Sequence, residues 1–215
     1  RSGEVPFRLQ HGQDLYDYMD SHPAFDALFA QAMDRVDALT GDSFATEFDW
    51  QAFDRIIDMG GSKGAKSMAI LKRHPHLQAV VVDRAQTIAG AADFWRDRRS
   101  PGVVEALARM RFEVGDVLTA VPAAASPRCA YLLSAVLHGF DDATCVQALR
   151  TVARAAIEKN AAIVLLELVM PDHHADLTAA SFDMQMFMGT RGCERTRGEW
   201  ARVFGLSGVR LMETV

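Results

Sequence analysis

A chain of 215 residues with 49% apolar content is long enough for one domain with a sizeable core, since a domain of this size buries roughly 70% of its unfolded surface. Its net charge of −5 argues against a nucleic-acid partner, which would require a basic face; the cluster Arg96, Arg98 and Arg99 reads as a solvated helix end. Three cysteines without metal spacing, no signal-peptide pattern and no apolar run of transmembrane length predict a reducing, cytoplasmic protein that does not enter a membrane.

Residues 1–10 read as a connecting segment and Gly12–Asp20 as a short helix. Ser21-His22-Pro23 restarts the chain, with Ser21 as N-cap and the proline in the first turn. Phe25, Leu28, Phe29, Ala32, Met33, Val36 and Leu39 then recur at helical spacing up to Thr40-Gly41. This stripe suits a core face, a cleft wall or a surface where a second subunit packs.

From Arg55 the pattern alternates. Apolar runs at Arg55–Asp58, Ala79–Asp83, Met110–Val114, Ala130–Ser134 and Ala162–Leu168 are separated by helix-like segments at Ala65–Arg73, Thr87–Asp97 and Asp142–Glu158. That alternation predicts an α/β fold, a parallel sheet covered by helices on both faces. In the last helix Asp141 is the expected cap, Val146, Leu149, Ala153 and Ala156 the inner face, and Lys159-Asn160 the end.

The first strand runs into Asp58-Met59-Gly60-Gly61-Ser62-Lys63-Gly64-Ala65-Lys66-Ser67. A strand, a glycine turn and a helix start in an open α/β sheet mark the edge where ligands bind. The G-x-G-x-x-G dinucleotide pattern fails here. The P-loop pattern G-x-x-x-x-G-K-[ST] misses by one residue, with Ala65 where the second glycine belongs. A third reading is the D-x-G-G-x-x-G loop of an S-adenosylmethionine (SAM) methyltransferase, whose cofactor needs close backbone approach and carboxylates rather than a cationic nest. The loop alone leaves these open, beside a plain glycine-rich turn.

Acids continue the pattern. Asp83 ends the second strand and Gly115-Asp116 follows the third, so three acids are expected at one sheet edge around the glycine loop. Such carboxylates suit ribose hydroxyls and an adenine amino group. Any single one would also serve as a turn cap, and the P-loop reading would use Asp83 for magnesium. Beyond the fourth strand lies His138, the side chain best suited to take a proton near neutral pH. Glu167 interrupts an apolar strand and needs a partner if buried; Glu194 follows the Met-rich segment Phe182–Met188. Either acid could support His138 or form a structural ion pair, Arg195 being a candidate partner. The methionines and phenylalanines are core by default, or a soft wall for a flat aromatic ligand. His11, His22, His74, His76, His173 and His174 read as structural, and no metal site is expected.

The ordered set Asp58-Met-Gly60-Gly61-Ser-Lys-Gly64, Val82-Asp83, Gly115-Asp116-Val117, Leu137-His138-Gly139-Phe140-Asp141-Asp142, Leu166-Glu167 with Met170-Pro171, and Gly192-Cys-Glu194-Arg195-Thr196 with Glu199-Trp200 resembles the class I SAM-dependent O-methyltransferases. These include plant caffeate and flavonoid enzymes and bacterial secondary-metabolite enzymes. The resemblance implies a Rossmann-like class I methyltransferase fold preceded by N-terminal helices. It assigns cofactor contacts to Asp58, Gly60, Gly61, Gly64, Asp83, Arg84, Asp116, Val117 and Ser134. His138 matches the general base, and Glu167 and Glu194 the acids that orient it; Phe140, Met184, Phe187 and Met188 are the acceptor wall expected from the residues themselves. The cofactor implied is S-adenosyl-L-methionine, with S-adenosyl-L-homocysteine as product. The partners implied are a small aromatic substrate and, in the full-length protein, a second copy of the chain.

Two departures stand out: Ser62 replaces a family glycine, and Gly139 replaces the aspartate beside the base. The resemblance also implies that residues 1–49 lead from a missing dimerisation domain and that 50–215 form a SAM-binding catalytic domain cut short at its C-terminus. The expected function is methyl transfer to a hydroxyl, phenolic by preference, of a small secondary metabolite. The alternatives are N-methylation, a SAM-binding paralogue with other chemistry, a P-loop-like nucleotide-binding protein, and a non-catalytic binding module.

Overall fold

The computed structural model describes residues 4–39, 41–98 and 100–215. In chain order its elements are α1 (Pro6–His11), α2 (Leu15–Ser21), α3 (Pro23–Leu39), α4 (Phe44–Glu47), β1 (Arg55–Met59), α5 (Ala65–Arg73), β2 (Gln78–Asp83), α6 (Ala85–Ala89), α7 (Ala91–Arg96), α8 (Val103–Leu107) and β3 (Met110–Val114). There follow β4 (Cys129–Ser134), α9 (Asp142–Ile157), β5 (Ala162–Leu166), β6 (Val169–Met170), α10 (Leu177–Gly189), β7 (Arg195–Thr196) and α11 (Arg197–Ser207). They fall into two compact units, one holding the residues of β1 to β5 and the other the N-terminal helices with Ala135–Val146 and Glu167–Arg210.

The sheet unit is a parallel sheet of order β3-β2-β1-β4-β5. β1 and β4 read as apolar runs because both of their faces are covered, as parallel strands require: Cys129 through Leu133 are all buried. Ile56, Ala79, Val81, Ala130 and Leu132 pack with Met68, Ile70 and Leu71 of α5 and with Val103 and Ala106 of α8. Ile57, Met59, Val82, Tyr131 and Leu133 are buried outside that cluster. Each such valine, leucine, isoleucine or methionine contributes roughly 1.5–3 kcal/mol of gross burial energy. The chain adds β2 and β3 to one side of β1 and β4 and β5 to the other, so the order reverses at β1. In an open α/β sheet that reversal is where ligands meet the carboxyl ends of the strands.

Local chemistry explains how the elements start and stop. Arg109 donates to the carbonyls of Leu71, His74 and Leu77, satisfying acceptors that the end of α5 leaves open. Trp50 is fully buried, and its indole N–H donates to Phe44 O at 2.8 Å. His74 is structural, its Nε2 2.8 Å from Ala45 O. The segment predicted as one helix from Thr87 to Asp97 is two, α6 and α7, with Gly90 closing one and opening the next. Glycine costs about 1 kcal/mol inside a helix, which favours a break there. Arg96 and Arg98 are exposed as expected, while Arg99 lies outside the described residues.

In the other unit residues 6–11 form helix α1, with Pro6 at its start and Gly12 at φ 75° closing it, rather than a connecting segment. Ser21 ends α2 instead of capping α3. Its hydroxyl donates back to the carbonyls of Asp17 and Tyr18. Phe7, Tyr18 and Phe25 tie the three helices together, Tyr18 meeting Phe25 edge-on at 5.2 Å and Phe7 at 5.4 Å. In the α3 stripe Leu28, Ala32 and Met33 are exposed while Phe25, Phe29 and Val36 are half-buried; the Leu39 side chain and Thr40 lie outside the described residues. Asp141 caps α9 as expected, its Oδ1 accepting from Thr144 N at 2.8 Å. The Met-rich segment is helix α10, capped by Asp176. It has no buried residue, so its methionines and phenylalanines are not core. β6 pairs with β7 through Val169 and Arg195, and a reciprocal Thr196–Glu199 capping box opens α11. Among the described residues no helix is long and apolar enough to cross a membrane.

Candidate functional site

In the sheet unit the glycine loop is held from below. Asp58 is 1% exposed, and its carboxylate accepts the Ser67 hydroxyl at 2.7 Å. A Cβ on Gly61 would lie 2.5–2.8 Å from the Asp58 carboxyl atoms, so only glycine lets the chain pass this close. Asp58 is therefore buried beneath the loop and supports it. Gly60 donates its N–H to Val82 O at 2.8 Å, and Gly64, at φ 79°, donates to Gly61 O at 2.7 Å as it opens α5.

The other strand-end acids also shape loops. Asp83 accepts from Ser62 N at 2.8 Å and from Arg84 N at 2.7 Å. Asp116 accepts from Leu118 N at 2.8 Å and from the Thr119 hydroxyl at 3.1 Å, beside the buried Val117. Ser134 ends β4 opposite Leu166. Carboxylates thus lie at or just beyond the carboxyl ends of three adjacent strands. Lys63 lies 4.4 Å from the Phe94 centroid and Lys66 4.6 Å from that of Phe44. Acids gathered at these strand ends favour a cationic ligand over a polyphosphate.

In the other unit His138 is the middle residue of the 3-10 turn Leu137–Gly139. Its Nδ1 lies 2.8 Å from Glu194 Oε1, with the Glu194 side chain almost fully buried. A carboxylate there holds the proton on Nδ1 and leaves Nε2 as the basic nitrogen. Glu167 meets the turn through its backbone: Oε1 accepts from Val136 N at 3.1 Å and Leu137 N at 2.9 Å. Donor atoms of His138, Glu167 and Glu194 lie within 4.8 Å of one another. Burial lowers the His138 pKa, but the Glu194 hydrogen bond and the charges of Glu167 and Glu194 outweigh it, and the net direction is upward. Burial drives the Glu167 pKa up, against the charge of His138 and the two backbone N–H groups.

Sequence reasoning did not find the side chains that grip this turn. Arg195 had been a candidate partner for Glu194; it pairs instead with Asp142, Nε to Oδ1 at 2.9 Å. The Cys145 thiol, its pKa pushed up to about 12 by burial, donates to Leu137 O. Gly192 lies so close to the His138 carbonyl that any Cβ would collide with it. A Cβ on Gly139 would stand 3.8 Å from the Tyr16 hydroxyl. Met184, Phe187 and Met188 are 57%, 55% and 49% exposed on α10, and Phe140 is half-buried beside the turn. The only sequence signal for the gripping set is the Gly-x-Glu-Arg-Thr run itself.

The sheet order and the glycine loop after its first strand define a class I methyltransferase fold, shared with solved methyltransferases. One is the O-methyltransferase NcsB1 from neocarzinostatin biosynthesis, solved with S-adenosyl-L-homocysteine and 1,4-dihydroxy-2-naphthoic acid. It is 29% identical with a TM-score of 0.81, over 97% of this chain and 60% of that one. Another is the N,N-8-amino-8-demethyl-D-riboflavin dimethyltransferase RosA of Streptomyces davawensis, 26% identical with a TM-score of 0.75, over 97% of this chain and 60% of that one. The family described as O-methyltransferase domain matches residues 1–210, and the chain belongs to it. Among curated relatives, the O-demethylpuromycin-O-methyltransferase of Streptomyces alboniger is 30% identical over 216 residues, 98% of this chain and 54% of the relative. The chain therefore spans little more than half the length of that protein.

Proposed function

We propose that the chain is the catalytic part of a SAM-dependent O-methyltransferase acting on a hydroxyl, phenolic by preference, of a small aromatic secondary metabolite. The observation that carries this reading is the His138–Glu194 pair: a largely buried imidazole, oriented by a carboxylate at 2.8 Å, in a chain of this family. The loop chemistry fits the cofactor, with acids and close-passing backbone. Gly60, Gly61, Gly64, Asp83, Asp116 and Val117 would hold it, with Asp58 bracing the loop and Arg84 and Ser134 at the neighbouring strand ends. When bound, S-adenosylmethionine supplies an electrophilic methyl group.

His138 Nε2 takes the proton from the acceptor hydroxyl as the oxygen becomes nucleophilic, and Glu194 stabilises the imidazolium that results. Glu167 sets the turn through its backbone. Such a positioned base is worth roughly 10²–10⁴-fold. Phe140, Met184, Phe187 and Met188 supply apolar surface for a flat acceptor. Residues 50–215 form the catalytic domain and 1–49 lead into it. The full-length protein is a homodimer, and the three free thiols of this chain suit the cytoplasm.

Replacing His138 by Ala should lower kcat by roughly 10²–10⁴-fold while calorimetry shows unchanged SAM affinity. A variant with wild-type turnover would refute the base. The likeness to the dimethyltransferase RosA favours one second reading, transfer to an amine nitrogen. Mass analysis of the product made with labelled SAM separates the two.

A further inference from the structure

We infer that Arg195 is a positioning residue, whose guanidinium sets the aim of His138 by holding the two carbonyls that bracket its turn. The inference rests on the reading of His138 as the base. Arg195 is 1% exposed. Nη2 donates to Phe140 O at 2.7 Å, Nη1 to Leu137 O at 3.3 Å and to Cys193 O at 3.4 Å, and Nε to Asp142 Oδ1 at 2.9 Å. Its back rests on the Trp200 ring at 5.2 Å.

The chain is extended here, so neighbouring side chains point opposite ways. Glu194 takes the imidazole and Arg195 takes the backbone beneath it. Two residues earlier, Gly192 packs against the His138 carbonyl with no room for a Cβ. One short run therefore touches the turn at its carbonyl, its side chain and its two flanking carbonyls, and Arg195 locks that register. A planar guanidinium reaches two carbonyls and a carboxylate at once; an ammonium on a flexible stem does not. Glu194 and Glu167 face the imidazole, Tyr16 of α2 stands beside Gly139, and Cys145 of α9 shares the Leu137 carbonyl with Arg195.

The test uses full-length protein carrying Arg195→Lys, with three readouts: kcat against pH with 1,4-dihydroxy-2-naphthoic acid as probe acceptor, S-adenosylhomocysteine affinity, and the NMR titration of the His138 imidazole, assigned by its loss in His138→Gln. The expected result is a fall in kcat of roughly 10–100-fold with affinity unchanged. Both the imidazole pKa and the acid limb of the profile should move to lower pH as the Glu194 contact loosens. Arg202→Met, which removes only the exposed second partner of Asp142, should change none of these. A folded Arg195→Lys protein with wild-type kcat and titration overturns the inference. If that variant does not fold, Asp142→Asn decides: a smaller shift in the same direction supports the role, and an unmoved imidazole pKa overturns it. Full turnover in His138→Ala would instead remove the base reading while leaving the imidazole titration to report on Arg195.

Discussion

Ser62 holds a backbone conformation that suits glycine, at φ 53°, in the loop where the family resemblance puts glycine. A left-handed non-glycine residue costs roughly 1–2 kcal/mol, partly offset by the smaller chain entropy lost on folding. Ser62→Gly is expected to raise stability by about 0.5–1 kcal/mol, a few degrees in Tm for a chain of this size, while SAM affinity holds because the Ser62 N–H to Asp83 bond needs no side chain. Thermal melts and calorimetry check both halves. At His138 the raised pKa has a kinetic sign. On the proposed reading the imidazole must be neutral to act, so kcat/KM should fall as pH drops through a value above the ordinary 6.5. An acid limb centred below 6.5 would contradict the Glu194 and Glu167 contacts.

Among elements, α10 is the clearest separation of stability from function. Its lack of buried residues means Phe187→Ser should stay within about 0.5 kcal/mol of wild type. If the helix supplies acceptor surface, the acceptor KM should rise several-fold with kcat little changed; an unaltered KM removes α10 from that role. Its methionines and phenylalanines, expected in the core by default, lie on a helix without buried residues, since an apolar sequence looks the same whether it faces core or solvent. The five strands of the larger sheet were legible to within a residue or two, most clearly β1 and β4, because parallel strands buried on both faces write a continuous apolar run; the short β6 and β7 were not. Gly90 splitting α6 from α7 was a visible signal that a single-helix reading passed over.

For the molecule as a whole the two sets of shifted groups act in opposite directions on stability. His138 and Glu167 have raised pKa values, so their contribution is complete below their ordinary values of 6.5 and 4.5 and is lost as pH rises through the folded values. Asp141 and Asp142 are lowered, the first chiefly by the Thr144 hydrogen bonds, the second by Arg195 and Arg202 against its burial. Their contribution is present above 3.8 and is lost as pH falls through the folded values. Tm should therefore decline from mildly acidic pH toward alkaline pH. Glu167→Gln, which keeps an acceptor for the Val136 and Leu137 N–H groups, should flatten that decline in differential scanning fluorimetry; an unchanged slope would mean Glu167 does not drive it.

By itself the sequence determined the α/β class, the glycine loop, the acids at successive strand ends and the histidine after β4, because each follows from local spacing that a strand, a turn or a helix start imposes. Only the tertiary structure decided that Asp58 braces the loop from beneath, that Glu194 rather than Glu167 meets the imidazole across 56 positions, and that Arg195 and Gly192 hold the turn in place. Those outcomes depend on which backbone atoms lie at hydrogen-bond distance once distant segments pack, and no periodicity in the chain encodes that distance.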